Sequence, residues 1–243
     1  MTDRRIDLTP VSYEYGGQPF TGYLADGSKG RGSVPGILVA HEGGGLTDHP
    51  RERARMLAEL GYVAFAMDIF GKPDMPLEEA KALVRNLLGN LPELRGRARA
   101  ALDVLRAQPH VDDGRLAAIG FCIGGTTVLE LARSGADIKA LVGFHAGLTT
   151  TAPEDARAIR GSVLVCLGAD DPIVNAEQRA AFCAEMTAAG VDWQMHLYGG
   201  VGHSFTNPEI DAWEFPGFAY DAVADARSWE AMRDFFDEVL GQL

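Results

Sequence analysis

Basic residues are the scarcer charge in this 243-residue chain: Lys and Arg number 22 against 34 Asp and Glu, a formal net charge of −12. That balance excludes the basic face that binding to nucleic acid or an anionic membrane requires. It leaves room for an anionic small molecule, which a few local cations can hold. Cysteine is also scarce. Cys122, Cys166 and Cys183 are odd in number and widely spaced, which excludes a disulfide framework and a metal-ligand pattern. No apolar run approaches the roughly 20 residues that span a bilayer. The N-terminus, Met1 to Asp7, is charged and lacks the apolar stretch of a secretory leader. Repeats and low-complexity tracts are absent. The expectation is a cytoplasmic protein in a reducing compartment, where a cysteine stays a thiol.

What the chain does have is apolar runs alternating with helical patterns, in a composition 47% hydrophobic and 23% charged. The expected elements begin with a hairpin, Val11–Tyr15 and Phe20–Leu24, followed by a flexible, exposed loop over Ala25–Ser33. Strands are expected at Val34–Ala40, Tyr62–Met67, Leu116–Phe121, Ile138–Phe144, Val163–Leu167 and Trp193–Tyr198. Helices are expected from Asp48 to Leu60, Leu77 to Leu88, Pro92 to Gln108, Thr126 to Arg133, Asn175 to Ala189 and Ala219 to Leu240. Val111–Gly114 reads as a turn. The alternation predicts an α/β fold, a mostly parallel central sheet covered by helices on both faces. With no linker or shift in composition, residues 1–243 read as one domain. Residues 69–91 interrupt the alternation and read as an insertion bordering the active site, able to serve as a partial lid.

The stretch that organises the chain is Gly120-Phe121-Cys122-Ile123-Gly124-Gly125. A residue between strand and helix with glycine two positions to either side forms a nucleophile elbow, and here that residue is Cys122. A thiol seated at a helix N-terminus ionises more readily, because the helix dipole favours the thiolate. Catalytic groups in open α/β sheets gather beyond the C-terminal ends of strands. Glu42, Cys122, Asp171 and His203 all follow expected strand ends. Cys122, Asp171 and His203 also run in the order nucleophile, acid, histidine. In that scheme His203 activates the thiol and protonates the leaving oxygen, and Asp171 orients the imidazole. The backbone N–H groups of Ile123 and Gly43 are the candidate oxyanion donors. Asp170 competes with Asp171 on spacing alone. His145, at another strand end, is a candidate for lining the pocket or for a structural role, and His41 for shaping the oxyanion loop. Trp213, Phe215, Phe218 and Tyr220 either wall an apolar substrate site or anchor the closing helix. Cys166 reads as an inert core residue.

Together with Ala40-His41-Glu42, Asp68-Ile69-Phe70-Gly71-Lys72, Gly168-Ala169-Asp170-Asp171-Pro172-Ile173-Val174 and Gly202-His203-Ser204-Phe205, the elbow makes the chain resemble the dienelactone hydrolase family of α/β-hydrolases. The likeness runs from about Val34 to the closing helix. It implies the α/β-hydrolase fold and a Cys122–His203–Asp171 triad that cleaves a lactone or enol ester. It favours Asp171 over Asp170, because the acid precedes the Pro-Ile-Val stretch by one residue. It implies that Glu42 pairs with the resting thiol and takes part in forming the thiolate. The family holds the substrate carboxylate with two arginines. Here their places fall on Lys72, which lacks the bidentate fork, and on Asn207, which has no charge. The reaction type therefore carries over better than the substrate, and a broad carboxylesterase or thioesterase is the alternative. A non-catalytic binding or redox-sensing relative is the reading from outside enzymology. No metal or organic cofactor is expected. The partner is a small-molecule ester or lactone, not nucleic acid or membrane, and the protein is a monomer or a homodimer.

Overall fold

The computed structural model describes residues 6–73 and 75–243. Most of the charged N-terminal stretch, and Asp74 of the loop at 70–76, lie outside the described residues. The chain divides into two compact units, residues up to Ala117 together with Leu243, and Ala118–Gln242.

The first unit opens with the hairpin of β1 (Leu8–Tyr15) and β2 (Gln18–Asp26), antiparallel around Gly16-Gly17. β3 (Val34–Ala40) and β4 (Val63–Met67) pair in parallel, and β2 lies antiparallel against β4. β3 and β4 are buried along their whole length, as expected of parallel strands covered on both sides. Helix α1 (Asp48–Leu60) connects them and ends at Gly61, whose φ of 112° only glycine adopts readily. Helices α2 (Leu77–Leu88) and α3 (Leu91–Arg106) follow, and Asn90 caps α3 by accepting from the Glu93 N–H. β5 (Val111–Phe121) starts in this unit and ends in the next.

In the second unit α4 (Ile123–Arg133) follows β5 after one residue. Then come β6 (Ala140–Phe144), β7 (Ser162–Gly168), α5 (Ala176–Ala189), β8 (Trp193–Tyr198) and α6 (Ala222–Leu240). β6, β7 and β8 pair in parallel, so each ends on the same side. This is the α/β class that the alternation predicts.

Four local expectations need correction. Val111–Gly114 is strand, because the Val111 side chain is drawn against the core despite the Asp-Asp-Gly turn signal. In the loop over Ala25–Ser33, Ala25, Gly27 and Ser28 are buried, and only Asp26 and Lys29–Ser33 are exposed. Its start is fastened: the Gly27 N–H donates to the Tyr62 carbonyl, and the buried Ser28 hydroxyl lies 3.0 Å from His110 Nδ1. α4 begins at Ile123, three residues early, with Gly124 and Gly125 inside it. A Cβ on Gly125 would stand 2.4 Å from the Ala146 Cβ, so close approach outweighs the helical cost of glycine there. α6 begins late, at Ala222, because the residues before it pair with the His203 segment: Ala219 N–H donates to the His203 carbonyl and Asp221 N–H to that of Phe205. Asp221 then caps the helix through its carboxylate.

Candidate active site

Cys122 sits between β5 and α4 with φ 53° and ψ −117°, a conformation that non-glycine residues rarely hold. Gly120 makes the turn possible, since a Cβ there would lie 2.2 Å from the Gly124 carbonyl oxygen. The Cys122 N–H is shared between the Phe144 carbonyl, at 3.0 Å, and His145 Nδ1, at 3.1 Å. The thiol is half-buried. Ile123 opens α4, where an N–H has no acceptor four residues earlier within the helix.

β7 ends at Gly168, and the turn after it carries Asp171. One Asp171 oxygen accepts from the N–H groups of Ile173 and Val174, at 2.7 and 3.3 Å. The other lies 2.7 Å from His203 Nδ1, and both side chains are fully buried. Asp170, the competitor on spacing, is exposed. His203 follows β8 and is held by its own backbone: its N–H donates to the Gly217 carbonyl. Its ring meets Phe218 edge-on, with centroids 4.7 Å apart, so Phe218 backs the imidazole. His203 Nε2 makes no hydrogen bond of ordinary geometry among the described residues. Burial works to lower the His203 pKa. The charge of the Cys122 thiolate and the Asp171 hydrogen bond overcome it, and the pKa rises to about 10. The site thus favours the protonated form of His203.

His145 follows β6. It is fully buried, and both ring nitrogens are engaged: Nδ1 with the Cys122 N–H, and Nε2 with Thr206 Oγ1 at 2.9 Å. Asn207 caps the short 3₁₀ turn Pro208–Trp213, its Oδ1 accepting from the Glu209 N–H at 2.9 Å. Trp213 is exposed.

The remaining candidates belong to the first unit. Glu42 follows β3 and is buried, with Oε1 3.3 Å from His49 Nδ1. His49 Nε2 accepts from Arg53 Nε at 3.3 Å, one helical turn further along α1. His41 Nε2 accepts from the Ile69 N–H, so Nδ1 carries the proton and donates to the Glu42 carbonyl at 2.7 Å. The Glu42 carbonyl also accepts from Gly45 N–H, and this shapes the loop carrying Gly43. Lys72 Nζ lies 2.7 Å from Glu79 Oε1 in an exposed ion pair.

The family model of the dienelactone hydrolase family matches residues 20–240. The chain belongs to the dienelactone hydrolase family. It is a carboxylic-ester hydrolase acting on a small molecule. The solved structure of m3DLH is 49% identical, with TM-score 0.93, over 98% of this chain and 100% of that one. The dienelactone hydrolase-like promiscuous phosphotriesterase P91, from metagenomic libraries, is 43% identical, also at TM-score 0.93 and with the same coverage. A carboxymethylenebutenolidase of Pseudomonas sp. (strain P51) is 28% identical over 90% of this chain and 91% of its own length. The fold is therefore the α/β-hydrolase fold of the family.

Within this family member, sequence reasoning overlooked Thr206 and His49. Thr206 lies 61 residues from the imidazole it meets, so no local pattern announces it. His49 does leave a trace, since it stands four residues before Arg53 on a helix and shares its face. No helix among the described residues is long and apolar enough to cross a membrane.

Proposed function

We propose that this dienelactone hydrolase family member cleaves lactones and enol or alkyl esters through a thioester on Cys122. The observation that supports the reading best is the 2.7 Å contact of His203 with Asp171, joined to the rise of the His203 pKa to about 10 under the Cys122 thiolate. The thiolate attacks the acyl carbon, and the Ile123 N–H at the start of α4 stabilises the oxyanion. His203 gives its proton to the departing oxygen. In a lactone that oxygen stays joined to the acyl group through the carbon chain, and the two leave as one molecule when the thioester is hydrolysed. Water then attacks the thioester, His203 takes its proton, and the thiolate is restored. Asp171 holds the Nδ1–H tautomer throughout.

A second observation favours substrates without a carboxylate. Lys72 is paired with Glu79, and Asn207 is occupied as a cap, so neither resembles a bidentate anion clamp. Neutral esters and thioesters then fall within range, and so do neutral phosphotriesters of the kind the name of the metagenomic relative implies. The test is hydrolysis of a dienelactone and of its neutral methyl ester by wild type and Cys122→Ala. We expect rates within about tenfold of each other for wild type, and background rates for the variant. A rate that needs the free carboxylate restores the narrow dienelactone reading. Near-wild-type activity in Cys122→Ala overturns the mechanism.

A further inference from the structure

We propose that His145 is a positioning residue for this hydrolysis, a buried imidazole that ties the backbone of Cys122 to the loop bearing His203. The inference rests on Cys122 and His203 being the reacting pair. The tautomer follows from the donors around the ring. The Cys122 N–H points at Nδ1, so Nδ1 accepts, Nε2 carries the proton, and Nε2–H donates to Thr206 Oγ1. Thr206 is three residues beyond His203, on the same loop. One neutral ring therefore spans the two segments that supply nucleophile and base.

The ring is itself anchored. The His145 N–H donates to the Cys166 carbonyl at 2.8 Å, which extends the β6–β7 pairing to the residue. Its faces and edges meet His203, with centroids 5.1 Å apart and planes at 66°, and Phe205, at 5.3 Å and 80°. A phenyl ring could fill this space, but it could neither accept from Cys122 nor donate to Thr206. Leaving a nitrogen of a buried imidazole unpaired is costly, and here both are paired.

Backbone strain points the same way. Cys122, His145 and Ser204 have φ of 53°, 38° and 56°. Ser204 is the neighbour of His203. Each such conformation is strained and persists only where surroundings over-determine it. The imidazole bonds to the first of these residues and packs against the neighbour of the third. Holding the sulfur and Nε2 in register matters, since a displacement of about 1 Å costs roughly 100-fold in rate.

The experiment compares His145→Phe, His145→Asn, Thr206→Val and Thr206→Ser with wild type, using p-nitrophenyl acetate. kcat, KM, Tm and the ultraviolet thiolate absorbance against pH are read for each. We expect Thr206→Val and His145→Phe to lose about tenfold or more in kcat with KM within about twofold, and to show less thiolate near neutral pH. Thr206→Ser keeps the hydroxyl and should stay near wild type. His145→Asn, whose amide oxygen can stand where Nδ1 does, should fall between His145→Phe and wild type. Thr206→Val removes only one hydroxyl, so it decides the matter if His145→Phe fails to fold. Folded variants with wild-type kcat, or with lower Tm and kcat but an unchanged thiolate titration, overturn the inference and leave a structural histidine. Cys122→Ala is the control for the reading beneath it, and full activity there removes both.

Discussion

His203 carries a large electrostatic shift, and its sign can be worked through. Its pKa is about 6.5 when exposed and rises to about 10 in the fold. Between those values the folded protein binds a proton that the unfolded chain does not, so stability falls as pH rises. The contribution is fully present below pH 6.5 and gone above about pH 10. Of the influences that raise the value, the Cys122 charge comes first, so Cys122→Ala should shrink the pH-dependent window while leaving the Asp171 contact. Urea denaturation from pH 6 to 10.5 on both proteins checks this; parallel curves would count against the thiolate–imidazolium pair. As candidates, Cys122, Asp171 and His203 are legible in the sequence because each is marked locally, by flanking glycines, by a turn before proline, or by a glycine-bounded loop past a strand. The bonds of His145 are not. Its partners lie 23 and 61 residues away, and only the parallel alignment of strand ends brings them together.

Elements position these residues through close backbone approach, and glycine is the means. Gly120 and Gly168 each leave a position where a Cβ would meet a backbone oxygen at 2.2 Å, from Gly124 and Val201 respectively. Backbone cannot swing aside as a flexible side chain can. Gly120→Ala should therefore cost about 3 kcal/mol or more and lower Tm by roughly 6–12 °C, with loss of activity because the elbow itself must open. Differential scanning calorimetry beside an ester assay measures both; a Tm within about 2 °C of wild type would refute the steric argument. The same glycines explain which boundaries the sequence concealed. β3, α2 and β8 start and stop where periodicity and turn residues place them. α4 does not, because a pattern reader penalises glycine inside a helix, whereas the fold needs Gly125 there to seat Ala146. Val111–Gly114 reverses the case, as packing of Val111 overrides an exposed turn signal.

At the scale of the whole molecule the governing quantity is the net charge of −12. A substrate carrying a carboxylate approaches a body of like sign, and repulsion slows its encounter. A clamp of two arginines would offset that locally. Lys72, half-exposed and paired with Glu79, is a weak substitute because surface ion pairs are well screened. Salt should then act oppositely to its usual effect on steered enzymes. As the Debye length contracts from roughly 30 Å at 0.01 M to about 8 Å at 0.15 M, kcat/KM for an anionic ester should rise several-fold. Its neutral methyl ester should change little over the same range. Breaking the ion pair in Glu79→Gln removes one negative charge and frees the Lys72 ammonium, so it should raise kcat/KM for the anionic ester at low salt and leave the neutral ester unchanged. Rates for the two esters across that salt range, in wild type and Glu79→Gln, decide the point. A fall with salt for the anionic ester in wild type would mean that local cations already guide it, and the case for a substrate without a carboxylate would fail.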